Sequence, residues 1–295
     1  MAAAAASSAT AAPPAQRKGF LARLFRDKPL GAAGGVLLLV FIIVGLFAPW
    51  IAPFGYNDIA PLDRLKPPSP EHWFGTDNLG RDLLSRCIHG AQLSVIIGCC
   101  AAALATLISA VVGIVSGYFG GRFDLLVQRF VDAWMSFPDL IILIVVVSVV
   151  GPGMPQIIVT LGLLLGIGGS RIVRSAVIGV RENMYVHAAQ SIGSPSWRIL
   201  WRHILPNVMP PIIVLFTTRV GTVILAESGL AFLGLGVPPP APTWGSMLSG
   251  SGRTYMFQGP WLALAPGLCL TAVVYATNVF GDALRDLLDP RMRGR

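Results

Sequence analysis

Residues 181–207 read RENMYVHAAQSIGSPSWRILWRHILPN, a polar, helix-forming insert in a chain that is otherwise lipid-soluble. The residue pattern predicts two short helices meeting at a bend. The first runs to about Ile192, and Gly193 then takes the left-handed conformation that ends a helix. Ser194 serves as N-cap and Pro195 occupies the first helical position, where its missing N–H costs nothing. The second helix carries Trp197, Leu200, Trp201 and Ile204 at i, i+3, i+4, i+7 on one apolar face, with Arg198 and Arg202 four apart on another. Leu205-Pro206 stops it. A knob of this kind can lie flat in the lipid interface or offer a docking surface, and its own residues leave both open.

The rest of the chain says where the knob sits. Of 295 residues, 54% are hydrophobic and only 12% charged, and the mean hydropathy is +0.69, far too apolar for a soluble domain. A spanning helix needs roughly 20 mostly apolar residues. Six stretches meet that: residues 30–50, about 91–117, 131–150, 155 to about 171, 208–228 and 261–281. With the N-terminus inside, sixteen of the 22 basic residues fall on inner segments, five (Arg64, Lys66, Arg81, Arg86, Arg253) on outer ones, and Arg219 within a span. The expected fold class is therefore all-α, a polytopic membrane protein with six transmembrane helices and both termini cytoplasmic.

The net charge of +8 reports orientation before it reports any nucleic acid, so no nucleic-acid partner is expected. The opening MAAAAASSATAAPPAQ has no basic stretch ahead of an apolar run, so it reads as a disordered tail and not a cleaved signal. Arg17, Lys18, Arg23, Arg26 and Lys28, interleaved with Phe20, Leu21, Leu24 and Phe25, suit an anionic cytoplasmic leaflet. The expected layout is a disordered and basic cytoplasmic tail at 1–29, the first span at 30–50, an extracytoplasmic segment at 51–90, a core at 91–281 with a cytoplasmic loop at 172–207, and a cytoplasmic tail at 282–295. Cys87, Cys99, Cys100 and Cys269 form no CxxC and read as packing residues, with no metal site.

At Ala188-Ala189, then Gly193, then Leu205-Pro206, the insert resembles the cytoplasmic EAA loop of ABC importer permeases: Glu-Ala-Ala, three residues, Gly, nine residues, Ile-x-Leu-Pro. His187 stands at the Glu position and His203 at the Ile position. The resemblance implies a coupling helix that enters a cleft on an ATPase subunit, with His187, Ala188, Ala189, Gly193, Ser194, Trp197, Leu205 and Pro206 as the coupling residues. Elsewhere FGTDNLGRDLLSR, residues 74–86, is similar to the FGTDxxGRDxxSR signature of the dipeptide, oligopeptide and nickel branch. Its proline-rich lead-in, Pro67-Pro68-Ser69-Pro70, is closer to the "C" permease. Tyr118 with Gly120-Gly121 and Asp124, then Arg129, Asp132 and Pro138, match that branch's inner turn. Residues 227–236 resemble its EasLSFLGLG, Trp244-Gly245 its SWG, and residues 281–291 its GDaLRDxLDPR ending.

What this implies is a type I importer permease fold in the cell inner membrane. The implied partners are a second permease subunit forming a heterodimer, two cytoplasmic ATPase subunits and an extracytoplasmic substrate-binding protein.

Read by spacing alone, Asp77 with Arg81 and Asp82 with Arg86 predict a short ion-paired helix on the outer surface. Gly113-x3-Gly117 and Gly162-x3-Gly166 predict close helix packing within the subunit. Arg219 and Glu227 lie two turns apart on similar faces. Charges in a span mark a cavity or pathway, so both are candidates for the translocation path, Arg219 as the group that attracts an anionic part of the substrate. A solvated helix end is the alternative for Glu227.

No phosphate loop GxxxxGK[ST] is present; the lysines are Lys18, Lys28 and Lys66, and none follows a glycine. ATP and its magnesium ion therefore belong to partner subunits, and no cofactor is expected in this chain. With neither HExxH nor GxSxG, an intramembrane hydrolase is disfavoured. A self-sufficient secondary transporter or channel is the remaining alternative, weakened by the absent inverted repeat and the lack of several mid-span acids.

Overall fold

The computed structural model describes residues 20–288. Of the tail at 1–29 expected to be disordered, residues 1–19 lie outside the described residues, as does the helix stop expected at Pro290, while residues 20–27 are helical. In chain order the helices are α1 (Phe20–Asp27), α2 (Pro29–Leu46), α3 (Ala48–Ile51), α4 (Leu83–Phe119), α5 (Gly121–Met135), α6 (Asp139–Val150), α7 (Met154–Arg181), α8 (Met184–Ser191), α9 (Ser196–Ile199), α10 (Leu205–Phe232), α11 (Trp244–Met247), α12 (Arg253–Tyr255) and α13 (Trp261–Leu288).

Five of these, α2, α4, α7, α10 together with the turns before it, and α13, are long and apolar enough to cross a membrane. The third expected span is not one helix. It breaks at residues 136–138 into α5 and α6, bent by 82°. Pro138 lacks a donor and steers Phe137 away from helical geometry, while the Ser136 hydroxyl donates back to the Ala133 carbonyl at 2.7 Å and closes the end of α5. With 12 residues, α6 covers about 18 Å, short of the roughly 30 Å hydrocarbon core. Counted as one broken span, the bent pair brings the number of candidate crossings to six.

The helix containing the second apolar stretch begins at Leu83, not near residue 91, because Asp82 caps it: its carboxylate accepts from the Ser85 N–H at 2.7 Å. At 37 residues α4 measures about 55 Å and projects beyond the membrane on the outer side.

Small residues set the packing. A Cβ added to Gly113 would lie 2.6 Å from the Ser170 carbonyl, and one on Gly166 would lie 2.8 Å from Ile108 Cβ. Both expected glycine pairs therefore serve the α4–α7 contact inside the subunit. On the far side of the bundle α2 rests on α13 through Gly31 and Gly34, which face Ala283 and the Ala276 carbonyl. The outer half of the core gathers Ile97, Leu143, Leu161, Ile224 and Leu230 around a fully buried Trp244. That tryptophan arrives on α11, where the chain after α10 dips back into the bundle: Trp244 Nε1 donates to the Cys87 carbonyl at 3.1 Å.

The outer segment is not the ion-paired helix that spacing predicts. Gly75 and Gly80 sit at φ +75 and +76, in the left-handed region, and Gly80 presses against the Ala60 carbonyl where no Cβ fits. The strand-like pairing of Thr76 with Asp82 closes the loop. Asp77 and Arg81 do pair, but Asp82 turns to its own helix end and to His72, and Arg86 joins Asp77.

Replacing Gly166 by leucine forces side-chain bulk into the α4–α7 contact and is expected to destabilise the chain by about 1–3 kcal/mol. Gly179→Ala, a position with open space around it, serves as the control. Thermal unfolding of the purified protein in detergent should show a lowered midpoint for the first variant only.

Candidate functional site

The insert folds as a two-helix knob. Met184–Ser191 forms α8, and the chain leaves it through Gly193 at φ +76. The Ser194 N–H donates to the Ala189 carbonyl at 3.1 Å and the Gly193 N–H to the Gln190 carbonyl at 2.9 Å, the paired bonds of a Schellman end. The expected left-handed bend is therefore present. The N-cap is displaced by one residue: Pro195, extended at φ −65 and ψ 147, precedes α9, and no Ser194 side-chain cap forms.

Leu205-Pro206 does not stop the second helix. Residues Leu200–Ile204 form one π-helical stretch that runs directly into α10, with the Leu205 N–H donating to the Leu200 carbonyl. Pro206 has no N–H for an α-type bond to residue 202, and its ring would crowd that carbonyl. The wider π turn accommodates the missing donor and keeps the axis going.

The π turn also reassigns the faces. The expected apolar face of Trp197, Leu200, Trp201 and Ile204 splits. Ile199 and Ile204, five apart, share the buried side, while Trp197 is 61% and Trp201 67% exposed. Ile199, Ile204, Val186 and Ala189 form one buried cluster with Tyr118 of α4, Val173 and Val177 of α7, and Val208 and Ile212 of α10. The knob is thus seated on three spanning helices.

Polar bonds tighten that seat. Arg181, the last residue of α7, donates to the Tyr118 carbonyl at 3.1 Å. Arg174 grips Asp124 of α5 with both ends of its fork, the Nε bond being 2.6 Å, and Arg171 pairs with Asp132. Tyr185 of α8 lies beside His203, ring centroids 6.1 Å apart.

The outward side of the knob is apolar and bare. His187 and Ala188 are exposed, Ala189 is buried beneath them, Gly193 is open and Ser194 half-buried. Leu205 is half-buried and Pro206 exposed at the base. Met184 at 87% and Ile192 at 82% exposure flank the tryptophans, and the Arg198 guanidinium lies 5.5 Å from the Trp197 ring. Met184 and Ile192 were not singled out by sequence reasoning. The signal available was two apolar residues at the ends of α8 with no place in its amphipathic pattern.

Arg219 and Glu227 do not share an environment. Half-buried Arg219 leans on α7, where a Cβ at Gly169 would lie 3.2 Å from its Nη2. No ion pair within 4.0 Å forms with Arg219 among the described residues. Glu227 is not a solvated helix end. It is 1% exposed, and its Oε1 accepts from the Thr243 hydroxyl at 2.8 Å, tying α10 to the segment that brings in Trp244. In this conformation it is enclosed within the subunit.

On the opposite side of the membrane the outer loop is knotted around Asp77, whose side chain is wholly buried. One oxygen accepts from the backbone N–H groups of Leu79 at 2.8 Å and Arg81 at 3.1 Å. The other accepts from Arg81 Nε at 2.7 Å and lies 3.7 Å from Arg86 Nε. Arg86 also donates to the Tyr56 carbonyl at 2.8 Å. Nearby, the Lys66 ammonium hydrogen-bonded to Asp63 holds that carboxyl below its ordinary range. Trp73 is 70% exposed on the same loop.

Comparison with known proteins agrees with this geometry. Residues 109–294 match the family described as binding-protein-dependent transport system inner membrane component. Residues 19–68 match the N-terminal TM domain of oligopeptide transport permease C. The chain is 39% identical over 268 residues to the dipeptide transport system permease protein DppC of Alkalihalophilus pseudofirmus, covering 91% of this chain and 88% of that one. It is 38% identical over 273 residues to the glutathione transport system permease protein GsiD of Escherichia coli, covering 92% and 90%. Among solved structures, a chain of the inward-facing MetNI methionine ABC transporter superposes with a TM-score of 0.57 at 17% identity, covering 69% of this chain and 96% of that chain; that likeness is one of fold.

Asp77→Asn removes the countercharge from two arginines that are themselves largely enclosed. Breaking one side of a buried pair costs about 3–5 kcal/mol. The variant is expected to accumulate poorly in the membrane and to be cut by protease added from the outer side near residues 75–86, both read by immunoblot against the parent protein.

Proposed function

The chain belongs to the family of binding-protein-dependent transport system inner membrane components, and from that premise we propose how this permease subunit is driven and what it carries. It is a multi-pass inner-membrane permease of the ABC importer class. Its cargo is a peptide or a related small solute, as the names of its relatives suggest. It pairs with a second permease, receives substrate from an extracytoplasmic binding protein, and is moved by two cytoplasmic ATPase subunits that hold ATP and magnesium.

The observation that supports the coupling role is the two-sided knob: exposed Met184, Ile192, Trp197 and Trp201 above, and Val186, Ala189, Ile199 and Ile204 locked into α4, α7 and α10 below. Exposed tryptophans on a short rigid element are the anchors that protein partners bury. His187, Ala188, Ala189, Gly193 and Ser194 shape the insertion, and Leu205 and Pro206 join it to α10. Closure of the ATPases would pull on the knob and tilt the three helices beneath it. For this the ATPase dimer must bind the knob differently in its two states, or no population shifts.

In the complete importer reconstituted into liposomes, Gly193→Val strains the left-handed bend by roughly 1–2 kcal/mol. It is expected to leave ATP hydrolysis in place while substrate uptake falls at least severalfold. His187→Glu is expected to retain coupling. Uptake driven by an ion gradient without ATP would overturn the reading in favour of a self-sufficient carrier.

We assign Arg219 to the translocation path as the group that meets a carboxylate of the substrate. A charge-assisted hydrogen bond is worth about 1.5–3 kcal/mol, so Arg219→Ala should slow uptake of a free-carboxylate peptide roughly tenfold or more and affect its C-terminally amidated analogue little. Equal effects on both peptides, or none on either, would remove Arg219 from substrate recognition. Glu227, enclosed as it is, belongs to the path only in a conformation that opens the α10–α11 contact. A cysteine at Glu227 should react with an outer-side thiol reagent during ATP turnover and not at rest.

A further inference from the structure

The corner between α1 and α2 carries features that the transport role leaves unused. We propose that it binds one anionic phospholipid of the inner leaflet, the headgroup on Arg23 and Arg26 and one acyl chain in a groove along α2. The groove has a volume of about 420 Å³ and runs from Phe25 past Ala33 and Val36 to Val40, with apolar residues along its whole length. From Pro29 to Val40 the helix rises about 16 Å, half of the roughly 30 Å hydrocarbon core. That is the depth of one leaflet, which fits a lipid tail entering from the inner side.

Arg23 and Arg26 stand on α1, the helix that supplies Phe25 to the groove. The Arg23 Nε is buried without a hydrogen-bond partner. Neither Arg23 nor Arg26 forms an ion pair within 4.0 Å among the described residues. Asp27 is the one acid on α1. Lys28, by contrast, is already engaged with Asp286 of α13 at 2.5 Å, and Leu24 is buried with Ala32, Ala283 and Leu287. These contacts hold α1 in place at the mouth of the groove. In sequence, Arg17 and Lys18 come just before.

Phe20, Leu21 and Phe25 are exposed on α1, so the helix pairs an apolar side with free guanidinium groups, the composition of an interfacial element. A guanidinium fork suits a phosphate ester, and the cytoplasmic leaflet supplies anionic headgroups. A zwitterionic lipid offers the same phosphate but sets an ammonium beside it, so only an anionic headgroup also offsets the net positive charge of α1.

The test is native mass spectrometry of the purified complex with added dioleoyl phosphatidylglycerol or dioleoyl phosphatidylcholine. The phosphatidylglycerol should bind roughly 25-fold tighter, since each of the two arginines near the surface contributes about fivefold. Arg23→Gln with Arg26→Gln should erase that preference, and Val36→Trp should weaken both lipids by filling the groove. Thermal unfolding midpoints near the parent's would show that the variants fold. Equal affinity for the two lipids, a preference that survives the arginine changes, or loss of binding only when the second permease is present would each overturn the proposal, the last because α2 would then be a subunit interface.

Discussion

The contact on which the rest depends is the burial of Val186, Ala189, Ile199 and Ile204 against Tyr118, Val173, Val177, Val208 and Ile212. A surface gripped from the cytoplasm transmits displacement only if its reverse side cannot slip. Close-packed side chains are stiff, so a pull on α8 or α9 reaches three spanning helices together. The ion pairs of Arg171 and Arg174 with Asp132 and Asp124 extend the same body to α5. The knob and the inner ends of α4, α5, α7 and α10 are thus tied into one packed body, which ends at the break between α5 and α6.

The outer side is built to stay put. Asp77 holds two arginines and two backbone donors, Asp82 caps α4 and bonds His72 at 2.9 Å, and Trp261 of α13 donates to the Thr76 carbonyl at 3.2 Å. Trp244 and the Glu227–Thr243 bond close the same end of the bundle between α4 and α10. A bonded outer rim and a packed inner knob are joined by α4 and α7, which approach each other closely at their glycines.

The membrane class and the left-handed bend of the knob were legible from composition and from Gly193. The glycine pairs were legible for the same reason, since small residues four apart have one main use in lipid. What was not legible follows from hydrogen bonding beyond the local chain. Leu205-Pro206 reads as a stop because proline removes an α-type bond, yet one π turn absorbs the loss and swings Trp197 and Trp201 outward. The spacing of Asp77, Arg81, Asp82 and Arg86 reads as helix, yet Gly75 and Gly80 fold it into a loop whose carboxylates choose other partners. Nothing in the spacing of Glu227 announces Thr243, sixteen residues on.

The central claim is that the apolar face of the knob is covered by an ATPase subunit in the working assembly. Ile192→Cys places a thiol on that face. Labelled with a water-soluble maleimide from the cytoplasmic side, it should be protected in the intact importer and become reactive when the ATPase subunits are stripped from the membrane. Equal labelling in both preparations would show the face open to water throughout and would contradict the account.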